Sequence, residues 1–152
     1  MTTEQHPYVE QEAKAKAKLV EAKSGWEAAR KRVKDFEIPW NKNTDARLFA
    51  EQSLSDAKAS TPLEQVAQWQ ATVQAALFLD ARFRLEYEPL LQAVGDAERN
   101  HKNARLDYEE VMGQIQMWRN DQADLKNARL EASIEAEVRT TRERLRKEAK
   151  AA

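Results

Sequence analysis

The sequence predicts an all-α fold: an elongated antiparallel two-helix coiled-coil hairpin with a long C-terminal helix overhanging the first arm. Three observations carry this. Charged residues make up 34% of the chain and only three of its 152 residues are glycine, a composition that suits long solvated helices and leaves too few β-branched residues for a sheet. Apolar residues recur at alternating steps of three and four, which marks a coiled-coil seam rather than a globular helix face. The one clear reversal signal, Ser60-Thr61 before Pro62, divides the chain unequally. A connection that short makes the two arms run antiparallel.

The first arm is expected over about residues 7–59, after a polar stretch from Met1 to His6 that should fray. Leu19, Trp26 and Val33 form one apolar column, and Tyr8, Ala15, Ala22, Ala29 and Phe36 form the other. The alanines let a neighbouring helix come close. Glu10 with Lys14, Glu12 with Lys16 and Glu27 with Lys31 add spaced ion pairs on the exposed face, each worth a few tenths of a kcal/mol. Gly25 weakens the helix by about 1 kcal/mol relative to alanine without ending it. Pro39 has no amide hydrogen and crowds the preceding turn, so an interruption is expected there, with Trp40 outside any seam. Trp40 then either tucks against the bundle or serves as an exposed interface anchor. Asn41 to Asp45 offer caps for a resumed helix, which should bury Leu48, Phe49 and Leu54.

The second arm is expected over about residues 62–150. Thr61 can cap the Glu64 amide, Glu64 can reach back, and Pro62 sits where a helix needs no amide hydrogen. The seam runs Val66, Trp69, Val73, Ala76, Phe83, Tyr87, Leu90, Val94 and Ala97, then Ala104, Tyr108, Val111, Ile115, Trp118 and Leu125. Asp80, His101 and Gln122 fall on it as polar residues that cost stability and fix register. Pro89 and Gly95 are the places where this arm would bend or reverse. The seam keeps its phase through both, so one continuous helix of roughly 130 Å is expected. Such a helix needs partners along its seam.

Folding at the turn pairs Phe36 with Phe83 to Tyr87, Trp26 with Val94 to Ala97, Ala22 with His101, and Tyr8 with Val111 to Ile115. The first arm is then used up near residue 113. Trp118, Leu125, Leu130, Ile134, Val138 and Leu145 are left on an overhang without an intrachain partner.

The same residues bound the function. A chain of this length is expected to form a single domain. A formal charge of −1 provides no global field for nucleic acid. The absence of cysteine excludes disulfides and thiolate metal sites. No apolar run is long enough to span a bilayer and the polar N-terminus lacks a signal peptide's apolar core, so a cytoplasmic protein without membrane insertion is expected. Glu98 and His101 match the Glu-x-x-His spacing of di-iron bundles, but such a site needs two copies and further carboxylates, and the only other histidine is His6. His101 is therefore read as a polar seam residue. Glu109-Glu110 has no apolar pocket to tune it, and there is no phosphate-cradling glycine loop or nucleophile motif. Catalytic residues, cofactor and metal are all expected to be none.

Arg139, Arg142, Arg144, Arg146, Lys147 and Lys150 stand against only Glu143 and Glu148 near the C-terminus. This basic end suits the helix macrodipole and an acidic protein surface. No aromatic residue interleaves it for base stacking, which disfavours nucleic acid.

Trp40, Arg47-Leu48-Phe49, Leu63-Glu64 and Trp69-Gln70, spaced around a polar reversal, resemble the type III secretion stalk proteins of the YscO/FliJ-like family. The resemblance implies a hairpin shaped like the central stalk of a rotary ATPase. Its terminal end would insert into a hexameric secretion ATPase and promote its activity. Other surfaces would meet the export gate protein and help cycle export chaperones. Carried over by position, the ATPase end comprises residues 8–20 with 125–145. Its binding residues would be Trp118, Leu125, Ile134, Val138, Arg139, Arg142, Arg144, Leu145 and Arg146. Trp40, Arg47, Phe49 and Trp69 would lie towards the tip. Pro39 departs from the family pattern. The alternative from another class is a self-associating coiled coil or phage-type adaptor, a homodimer whose overhang pairs with its own copy.

Overall fold

The computed structural model describes residues 5–152, and two helices hold nearly all of them: α1 (Val9–Ser55) and α2 (Leu63–Ala151). The described residues contain no strand. The all-α hairpin of two long helices packed on each other is thus the fold observed. Its packing divides into two units: residues 17–105, and a second made by the described residues up to Lys16 with Leu106–Ala152.

In the unit of residues 17–105, α1 contributes Leu19, Ala22, Trp26, Ala29, Val33, Phe36, Trp40, Asn43, Arg47, Ala50 and Leu54 to the seam, all buried or half-buried. The steps of four and three never change phase. α2 answers with Val66, Trp69, Val73, Ala76, Asp80, Phe83, Tyr87, Leu90, Val94, Ala97, His101 and Ala104. Pairing is antiparallel: the Phe36 ring meets Phe83 edge-on at 5.6 Å and stacks on Tyr87 at 6.0 Å. Trp26 lies flat against His101, centroids 5.2 Å apart, with the Arg30 guanidinium 5.0 Å from its ring centre. That partner is about one turn further along α2 than equal spacing from the turn predicts.

Pro39 does not interrupt α1, contrary to the sequence expectation. Its ring is on the exposed side of the helix, where water can satisfy the carbonyl that loses its intrahelical donor. The rings of Phe36 and Trp40 pack against Phe83 and Tyr87 on either side of it in sequence, holding the two halves of the helix on one seam. Because the phase continues, Leu48 and Phe49 are exposed rather than buried, and Trp40 lies on the seam. Leu54 is half-buried as expected. α2 likewise runs unbroken through Pro89, also on an exposed position, and through Gly95. This excludes a reversal at Gly95.

The turn is built differently from the expected capping box. The Lys58 N–H donates to Thr61 Oγ1 at 3.0 Å, and the Thr61 N–H returns a bond to the Lys58 carbonyl at 2.9 Å. The Thr61 hydroxyl thus closes the reversal. The Pro62 carbonyl accepts from the Gln65 and Val66 amides, which starts α2.

In the second unit, Ile115 is only 1% exposed and Ala15 is buried, with Tyr8, Val111, Met112 and Trp118 half-buried. His6, expected in the frayed end, is held in place. Its Nδ1 accepts from the Tyr8 N–H at 3.2 Å, which leaves Nε2 as the donor to Glu12 Oε2 at 3.0 Å. The ring meets Trp118 edge-on at 6.3 Å. The rest of that polar stretch, residues 1–4, lies outside the described residues. Every residue from 119 onward is exposed.

Candidate protein-docking surface

The residues assigned to the tip separate into two kinds. Trp40, Arg47 and Trp69 are seam residues, at least half-buried between the helices. The Trp40 indole N–H donates to Asp80 Oδ1 at 2.8 Å, and its ring lies against Phe83 and Tyr87. That placement removes Trp40 as an exposed interface anchor. Arg47 keeps its buried Nε without a hydrogen-bond partner, and Glu51 Oε1 stands 3.8 Å away as an ion pair only. Phe49 alone of the four faces solvent, 71% exposed. On α2, Phe78 and Leu85 are also exposed, one heptad apart and on the side away from the seam. Reading only the strongest column hid this second apolar column.

At the other end the expected overhang is present. Leu125, Leu130, Ile134, Val138 and Leu145 remain between about two-fifths and three-fifths exposed, each on a helix that no other described residue covers. Trp118 does not belong with them. His6, one step upstream of the expected arm, reaches it and leaves it half-buried.

The overhang does not simply extend the seam. Heptad positions after Leu125 fall on Arg129, Ala132, Ala136 and Arg139. The large apolar side chains instead follow Leu130, Ile134, Val138, Thr141 and Leu145. At 100° per residue, this stripe is rotated by roughly 120° around the helix from the face that packs on α1. Its steps are mostly of four residues, longer than the helical repeat, so the stripe drifts around the helix in the sense opposite to a heptad.

Ile134 and Val138 line one shallow groove with Glu135, Arg139, Arg142, Glu143 and Arg146. Arg142 and Arg146 thus stand beside the apolar stripe. Arg144 lies on a different flank, where its Nε pairs with Glu148 at 3.8 Å. The structure therefore groups Ile134, Val138, Arg139, Arg142 and Arg146, extends their stripe to Leu145, and sets Trp118, Leu125 and Arg144 apart. Glu131 and Glu135 belong to the same surface and were not singled out from sequence. The rotation of the stripe after Leu125 is the signal that would have found them.

Among the described residues, no group of three or more His, Asp and Glu converges to hold a metal. His101 occupies its seam position against Trp26. No helix of the described residues is long and apolar enough to cross a membrane. Comparison with protein-family models, curated proteins and solved structures yields no match.

Proposed function

We propose that this chain is a non-enzymatic central-stalk component of a type III secretion export apparatus. It docks its uncovered C-terminal helix on the hexameric secretion ATPase, promotes that enzyme's activity, and uses other surfaces for the export gate and export chaperones. On this reading it works in the cytoplasm, peripheral to the secretion apparatus. One observation supports the reading above the rest: from residue 119 onward α2 is wholly exposed, yet it carries a regular apolar stripe flanked by arginines. A helix left bare on all sides gains nothing from such a stripe until another surface covers it. The exposed Phe49 adds a second apolar contact nearer the turn.

The experiment is titration of the full chain into a purified hexameric secretion ATPase, reading binding and turnover together. Saturable binding with increased turnover is expected. R142E/R146E should lower the affinity roughly tenfold or more, because charge pairs at the edge of an interface steer and orient docking. R144E, on the other flank, should do much less. Unchanged affinity in R142E/R146E would overturn the assignment of the basic groove.

A further inference from the structure

We infer that the uncovered helix is self-complementary, and that two copies of this chain pair antiparallel through residues 130–146. This inference does not depend on the stalk reading, since it concerns the chain alone.

Nearest the apolar stripe on one side stand Glu131, Glu135, Arg142 and Arg146 in that order, with Arg139 and Glu143 further round the helix. Three of the first four line the same groove as Ile134 and Val138, and Glu131 sits one turn before Glu135 on that side. Within one helix, Glu131 faces only Glu135 at four residues and Arg142 only Arg146, whereas Glu135 also has Arg139 four residues on and Arg146 has Glu143 three residues before it. Glu131 with Glu135, and Arg142 with Arg146, repel each other. Among the described residues, none of the four makes an ion pair.

A two-fold axis between Val138 and Arg139 resolves both repulsions at once. It sets Glu135 opposite Arg142 of the second copy, and Glu131 opposite Arg146 of the second copy, because each pair is equidistant from the axis. Every one of these contacts then occurs twice, as an isologous interface requires. The apolar stripe obeys the same axis. Ile134 falls between Thr141 and Leu145 of the second copy, Leu130 falls between Leu145 and Ala149, and Val138 meets its own counterpart. Parallel pairing would instead turn this flank toward the opposite flank of the second copy, where Glu137, Thr140 and Arg144 stand, so the matched glutamate–arginine pairs form only in the antiparallel arrangement.

The interface is short and its apolar side chains are few, so a weak, concentration-dependent and salt-sensitive dimer is expected. It uses the face that docking on another protein would use. Self-pairing and docking therefore compete.

The test is sedimentation equilibrium of the full chain over a wide concentration range, with two charge-reversed variants. Wild type should move from monomer to dimer as concentration rises. E131R/E135R and R142E/R146E should each remain monomeric, since the first sets arginines against arginines and the second glutamates against glutamates. Mixing the two variants should restore a dimer containing one copy of each. All these substitutions are on exposed positions, and far-ultraviolet circular dichroism checks that helicity is kept. A wild-type chain that stays monomeric, a dimer indifferent to either reversal, or a mixture that fails to associate would overturn the inference. None of those results bears on ATPase docking, which is read separately by titration. If the ATPase fails to bind while the charge-dependent dimer forms, the stalk reading fails and the pairing stands.

Discussion

The indole N–H of Trp40 donates to Asp80 Oδ1 at 2.8 Å across the seam, one turn from where the Tyr87 hydroxyl donates to Glu37 Oε1 at 2.8 Å. These two bonds set polar groups of one helix against the other inside an otherwise aromatic layer, so they can be satisfied in one register only. Asp80 is further tied by the Arg84 Nε at 3.1 Å.

Removing one half of the first pair leaves the other half without its partner. Asp80→Ala should cost about 1–3 kcal/mol, because the Trp40 donor stays in the seam unsatisfied. Trp40→Phe keeps an aromatic ring, and in the Trp40→Phe background Asp80→Ala should cost clearly less. A double-mutant cycle by urea unfolding measures the coupling. Additive losses would show that the bond contributes nothing to register or stability.

Tyr87 makes stability depend on pH. Its hydrogen bond to Glu37, followed by partial burial and the negative charge of Glu37, raises the phenol above its usual pKa of 10.0. The neutral phenol is the stabilised form. Its contribution is therefore complete below the unfolded tyrosine value of about 10 and is lost as pH rises through the higher folded value. Tyr87→Phe should be less stable than wild type near neutrality, and that gap should close in alkali. Melting curves of both proteins from pH 7 upward test this, and a gap that stays constant with pH would contradict it.

The boundary between covered and uncovered helix yields a paired prediction. Ile115 is 1% exposed, so Ile115→Ala should cost about 2–5 kcal/mol of unfolding free energy. Leu130→Ala, on the uncovered stretch, should change stability by no more than about 0.5 kcal/mol at concentrations too low for self-association. Urea unfolding followed by circular dichroism separates the two. Comparable losses would mean that Leu130 already has an intrachain partner.

Much of the fold was legible because a heptad seam needs only local counting. From Val66 to Trp118 every residue picked out by that count is buried or half-buried, and only Met112 joins them from outside it. The errors have one source each. Pro39 reads as a break in sequence, and a count restarted after it puts Leu48 and Phe49 in the core. Counting on from Phe36 reaches Trp40, Asn43, Arg47, Ala50 and Leu54 instead. Those are the residues found on the seam. Propensity argued against the helix at Pro39, and the aromatic packing on both sides overrode it. The Thr61 side chain had two possible amide partners, and composition alone does not choose between Lys58 and Glu64. The uncovered face after residue 119 was half legible: its large apolar residues and arginines were found. Its orientation was not, because the seam count stops at Leu125 and says nothing of the direction in which the stripe from Leu130 to Leu145 turns.

The central claim is that residues 119–151 form helix with none of the described residues covering them. Amide hydrogen exchange of the full chain, at a concentration below self-association, tests it most directly. An unpacked helix opens by fraying and owes its protection to propensity alone. Amides from residue 119 onward should therefore exchange far faster than those of residues 66–118, and slow when a binding partner is added. Protection across residues 119–151 equal to that of residues 66–118, in the dilute chain alone, would contradict the account.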